Sequence, residues 1–229
     1  MMDREETWEA VGGDPPGPRS PVPWEDPDLS GAAALYRTLR DLLWHPREFF
    51  ENRPGNGWGE PLAFALIMGT FGVLTALFWL LLVLAPAQPQ PGEAAGLAAA
   101  LGPNPGTLLG LMAAAPLLVL ADLLGGGLCW WGGVALVGAG RGFGPAWRIF
   151  CYAQGIMVLG VIPFFGLPIA AVWTLVLMYI GATRGLGLSP GRAQGALAIF
   201  LGLQVVLALI ILFGLLAAST LLGFLLLLS

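Results

Sequence analysis

The chain has 229 residues, 57% of them hydrophobic and only 10% charged, with a formal net charge of -4 and a mean hydropathy of +0.79. A soluble domain carries roughly 25% charged residues, so this composition cannot clothe a water-soluble globule, and the apolar residues must face lipid. Every acidic residue except Glu93 and Asp122 precedes Leu62, and beyond that point the only basic residues are Arg141, Arg148, Arg184 and Arg192. The acidic balance therefore belongs to the N-terminal region, and no basic surface exists to support nucleic-acid binding.

Residues 1–29 alternate Pro15, Pro16, Pro18, Pro21, Pro23 and Pro27 with glycine, arginine and acids. Such a stretch buries too little apolar surface to offset its ordering entropy, so a disordered tail is expected. Its one sharp feature is Pro23-Trp24-Glu25-Asp26, where Trp24 suits a membrane interface or a partner. No apolar stretch before Leu62 reads as a secretory signal.

Residues 30–60 read as a juxtamembrane arm. Ser30 is placed to cap a helix running to Trp44, with Leu35, Leu39, Leu42 and Leu43 on one face and Arg37, Arg40 and Asp41 off it. Pro46 then opens a short second helix, in which Phe49 and Phe50 are expected to dip toward the acyl boundary. The arm reads first as an interfacial anchor, with partner docking through Trp24, Pro46, Phe49 and Phe50 as the alternative.

Residues 61–229 form the membrane body. The first span runs over 62–84, and a loop over 85–107 carries Glu93 alone. A second apolar stretch over 108–137 is about 45 Å long as a straight helix, more than a hydrocarbon core of roughly 30 Å, so a bend at Pro116 or at Gly125-Gly126-Gly127 is expected. Between Arg148 and Arg184 no residue is charged, and the turn 163–168 divides that stretch into two short halves. Two crossings are preferred over a re-entrant hairpin. The last span starts near Gly195 and stays apolar to Ala218.

Arginines alternate with the spans: Arg4, Arg19, Arg37, Arg40, Arg47 and Arg53 before the first, Arg141 and Arg148 after the second, Arg184 and Arg192 after the fourth. None lies in the 85–107 loop, the 163–168 turn or the C-terminus. The positive-inside rule then puts the N-terminus in the cytoplasm and, with five spans, the C-terminus outside. The fold class is an all-α polytopic transmembrane bundle of about five spans, preceded by a cytoplasmic amphipathic helix.

Asp122 is the one acid deep in an apolar segment, and an intramembrane acid is a functional candidate by default. The plainer reading is a structural hydrogen bond to Gln154, Gln204 or Thr174. Small residues at spacing four, among them Gly125, Cys129 and Gly133, let helix backbones approach closely, within one chain or between copies. Pro163, Gly166 and Trp173 are expected to serve packing. Cys129 and Cys151 read as small core residues, and His45 as interfacial. No metal, cofactor or catalytic set is visible.

Several segments occur in a telling order: the Pro-Trp-Glu-Asp tail, His45-Pro46-Arg47-Glu48-Phe49-Phe50, Glu60-Pro61-Leu62-Ala63-Phe64-Ala65, Tyr152-Ala153 and Ile162-Pro163-Phe164-Phe165-Gly166. Trp173-Thr174-Leu175-Val176-Leu177 and the run from Gly181 to Ala193 complete the order. Over about residues 22–215 the chain resembles the bacterial branch of the Yip1 domain family. The resemblance implies five transmembrane helices, a cytoplasmic N-terminus and a place in the bacterial cytoplasmic membrane. Eukaryotic members act in vesicle trafficking and bind Rab-type GTPases. Their Asp-Leu-Tyr-Gly-Pro motif is missing here, since Asp122-Leu123 is followed by Leu124-Gly125, so Rab binding does not carry over and no catalytic residue is transferred.

Two roles follow as expectations. One is a non-enzymatic organising protein that binds a membrane-protein partner or a second copy. The other is a small oligomeric transporter or channel using Asp122.

Overall fold

The computed structural model describes residues 22–51, 57–84, 105–138, 140 and 142–228. The expected disorder of 1–21, the loop 85–104 with Glu93, and Arg4, Arg19, Arg53 and Arg141 lie outside the described residues.

Among the described residues a 3-10 turn, Pro23–Glu25, precedes seven α-helices: α1 Gly31–Trp44, α2 Pro46–Glu51, α3 Gly59–Leu84, α4 Pro105–Leu136, α5 Phe143–Ala153, α6 Gly166–Ile180 and α7 Pro190–Leu228. A 3-10 stretch, Gln154–Val161, continues α5, and a π turn, Gly181–Gly185, continues α6. Four segments of the described residues are long and apolar enough to cross a membrane: Gly59–Leu82, Leu109–Leu136, Gly166–Gly185 and Pro190–Thr220.

A further pass, third in chain order, is α5 with its 3-10 extension. Eleven α-helical residues rise about 16 Å and eight 3-10 residues about as much again, because each 3-10 residue climbs about 2.0 Å. Together they match the hydrocarbon thickness with fewer residues than an unbroken α-helix needs. The path runs alongside α3. At one end the Trp58 and Phe143 rings lie 5.1 Å apart, and at the other the Trp79 indole donates to the Val161 carbonyl at 3.3 Å. The turn after Val161 therefore reaches the far end of α3. This geometry is consistent with two crossings, which makes about five passes in all.

Neighbouring passes alternate in direction. Gly69 of α3 meets Val119 of α4, while Gly133 and Gly126 of α4 face Ala196 and Gln204 of α7. A Cβ at Gly133 would sit 2.5 Å from the Ala196 carbonyl oxygen, so glycine is what lets α4 and α7 touch backbone to backbone. Gly125 meets only the tip of Leu207. Gly166 seals the hairpin base, where a Cβ would run into the Leu159 carbonyl. Pro163 shapes the tip, its carbonyl accepting from the Phe165 N–H at 2.6 Å. Trp173 is half-buried against the core.

Three expectations need correction. Residues 22–29 are not part of a loose tail: Val22 is buried and Trp24 packs on the core. Phe49 and Phe50 do not dip into lipid but are buried inside the protein, where their rings meet at 5.1 Å. The leucine stripe of α1 likewise packs onto the bundle, with Leu42 wholly buried and touching the space over Gly155. The second apolar stretch forms one helix, α4, which contains both Pro116 and Gly125-Gly126-Gly127. The last helix starts at Pro190, ahead of Gly195, and carries Ser219 and Thr220 within it, their hydroxyls donating back to the Leu216 and Ala217 carbonyls.

Candidate functional site: a clamp between the N-terminal arm and the bundle

Arg148 and Tyr152 stand one helical turn apart on α5 and so share a face. Both side chains are buried at the arginine-bearing end of the bundle. A buried guanidinium is tolerable only with a partner, and the partner comes from the arm. Arg148 Nη2 lies 2.6 Å from the Glu25 carboxylate, and Arg148 Nη1 donates to the Gly57 carbonyl at 3.1 Å. The Tyr152 hydroxyl donates to the same Glu25 oxygen at 2.5 Å. The Arg148 side chain is 8% exposed and that of Glu25 18%, so the pair is shielded from bulk water.

Aromatic rings wall the cluster. Phe49 and Phe64 each approach the Tyr152 ring at 5.3 Å, and the Arg148 guanidinium sits 5.7 Å from that ring's centroid. Trp24 lies 5.8 Å from Phe64, and its indole donates to the Glu60 carbonyl at 2.9 Å. Pro23 sets the turn that aims Trp24 and Glu25 inward, and Asp26 closes the next bend by accepting from the Asp28 N–H. A second ion pair, Arg184 to Glu51 at 2.7 Å, fastens α2 to the π turn. The arm is therefore bolted to the bundle at two points.

The sequence candidates scatter around this cluster. Trp24, Phe49 and Phe50 are brought together as its walls, Phe49 and Phe50 buried and Trp24 and Pro46 half-buried. Gln154 is buried two residues beyond Tyr152, at the head of the 3-10 stretch, whereas Asp122 lies exposed on the surface of α4 with no hydrogen bond or ion pair among the described residues. No bond joins Asp122 to Gln154, Gln204 or Thr174. Glu25, Arg148 and Tyr152 were missed. A signal was available: Arg148 and Tyr152 share one helix face in an apolar segment, and a buried arginine demands an acid.

Chemically, the cluster is a lock. Its carboxylate is engaged by two donors, and it holds no nucleophile. Among the described residues no group of three His, Cys, Asp or Glu side chains could hold a metal ion, and Cys129 and Cys151 are free thiols.

The family model of the Yip1 domain matches residues 40–213. The chain belongs to the Yip1 domain family. The match spans both helices of the arm from Arg40 onward and all five passes of the Yip1 body, and it stops within α7. The Trp24–Glu25 segment precedes the matched region, so the clamp joins a flanking segment to the Yip1 domain proper. Comparison with curated proteins and with solved structures returns no match.

Proposed function

We propose that this Yip1 protein is a non-enzymatic organising protein of a bacterial cytoplasmic membrane, with its N-terminus in the cytoplasm and its C-terminus outside. It acts by presenting a fixed docking surface for a membrane-protein partner or a second copy. The observation that carries the reading is the clamped arm. With its leucine stripe and Phe49 committed inward, α1 turns Tyr36, Arg37, Arg40 and Trp44 outward, Tyr36 being 66% and Trp44 75% exposed. Tyr, Trp and Arg are the residue types enriched in protein interfaces. A surface used only to wet the membrane would not need a shielded ion pair and a second, exposed one to hold its orientation. The orientation itself is supported by the arginines of the described segments gathering at one end of the bundle.

A photo-crosslinking residue placed at Tyr36 or Trp44 in intact membranes tests this. A discrete protein adduct that disappears when Glu25→Ala releases the clamp is expected. Adducts to lipid alone at both positions would contradict it.

A second reading, an oligomeric transporter or channel, draws support from Asp122 alone. An unpartnered carboxylate on the outer surface of a membrane helix is costly in lipid, and a neighbouring copy would relieve that cost. Ion or solute flux in liposomes that is indifferent to Asp122→Asn would remove this alternative.

A further inference from the structure

A cleft of about 390 Å³ opens at the arginine-bearing end of the bundle, lined by Arg47, Tyr179, Ile180, Thr183, Arg184 and Pro190. Its depth in the membrane follows from its walls. Tyr179 through Arg184 form the last turn and a half of the span Gly166–Gly185, and Pro190 is the first residue of the span Pro190–Thr220. The cleft therefore sits where hydrocarbon gives way to headgroups.

The lining is two-sided in its chemistry. Ile180 and Pro190 supply an apolar wall. Arg47 makes no hydrogen bond or ion pair among the described residues, although it stands beside a second arginine. Arg184 spends Nη1 on Glu51 at 2.7 Å and keeps the rest of its fork unpaired among those residues. The Tyr179 hydroxyl is also without a partner there. Thr183 adds shape rather than a donor, because its proton is committed to the Tyr179 or Ile180 carbonyl at 3.0 and 3.1 Å. Two guanidinium forks and a phenol around one opening form a donor set suited to a phosphate oxyanion. Glu51 offsets only one of the two charges, which leaves an excess of positive charge for an anion to meet.

We propose that this cleft binds the phosphate headgroup of an anionic phospholipid, with the Ile180–Pro190 wall taking the start of an acyl chain. The apolar wall and the depth favour a lipid over a soluble phosphate. Glu51 tunes the site. By holding Arg184 it offsets one of the two positive charges, so the cleft prefers a lipid of modest negative charge. It also couples lipid binding to the α2 bolt, since a headgroup and Glu51 compete for the same guanidinium.

The test is native mass spectrometry of the full-length protein in detergent, titrated separately with phosphatidylglycerol, phosphatidylcholine and inorganic phosphate. One phosphatidylglycerol adduct favoured about tenfold over phosphatidylcholine is expected, with inorganic phosphate bound far more weakly. Arg47→Gln breaks no existing bond, and it should lower phosphatidylglycerol binding by about tenfold. Glu51→Gln should raise it, an effect opposite in sign to that of simple structural damage. Equal retention of the two lipids, inorganic phosphate matching the lipid, or an Arg47→Gln protein that binds like the unmodified chain would overturn the assignment.

Discussion

The Glu25 carboxylate lies 2.6 Å from the Arg148 guanidinium, joining a residue upstream of the first span to one inside the third pass. The contact fixes the arm's position, because breaking it from either side leaves a shielded charge alone. Loss of one partner of a buried pair typically costs about 3–5 kcal/mol, whereas replacing both with apolar groups is often tolerated.

The first prediction uses that asymmetry. Glu25→Ala should destabilise the detergent-purified protein by about 3 kcal/mol, and Arg148→Ala by a similar amount. Arg148→Met combined with Glu25→Leu should recover much of the loss. Thermal unfolding of the Ala singles and of the matched Glu25→Ala/Arg148→Ala double gives the coupling. Additive losses would mean that the pair does not act as a unit.

A second prediction concerns glycine spacing. Gly133→Ala forces a Cβ against the Ala196 backbone and should cost about 2 kcal/mol or more through separation of α4 from α7. Gly202 has open space where its Cβ would stand, so Gly202→Ala should be neutral or stabilising by up to about 1 kcal/mol. Comparing the melting temperatures of the two variants checks the pair. Equal effects would argue against backbone contact at Gly133.

A third addresses the hairpin tip. Phe164 has φ 62, a left-handed conformation disfavoured for a bulky side chain by about 1–2 kcal/mol. Phe164 and its neighbour Phe165 are both largely exposed. Phe164→Gly should leave stability unchanged or raise it, and Phe164→Val should lower it, since a β-branched residue fits that region worst. Thermal melts in one detergent would show the order, and a Val variant more stable than the Gly variant would contradict it.

Much of this architecture was legible in the sequence because membranes impose blunt rules. Span positions follow from apolar length, and the sharing of one end by Arg148 and Arg184 follows from their alternation with the spans. The tail was misread because composition cannot report a few residues that dock: Pro23 looks like disorder until Trp24 and Glu25 meet Phe64 and Arg148. The α1 stripe was read as lipid-facing because an amphipathic helix looks the same whether its apolar side meets acyl chains or protein. The third pass was short in residues because the sequence does not announce a 3-10 stretch. Its enabling features, Gly155 under Phe64 and Leu42 and Gly160 under Gly72 and Thr75, are contacts between distant segments. Asp122 drew notice because it is charged, yet the acid that organises the fold is Glu25.

The most direct test of the account is a sided-labelling experiment on the hairpin tip. In a background with Cys129→Ala and Cys151→Ala, single cysteines at Tyr36, Arg192 and Phe164 would be challenged with a membrane-impermeant maleimide in right-side-out and inverted vesicles. Five passes require Tyr36→Cys and Arg192→Cys to label from one side and Phe164→Cys from the other. Labelling of Phe164→Cys from the same side as Tyr36→Cys would contradict the account.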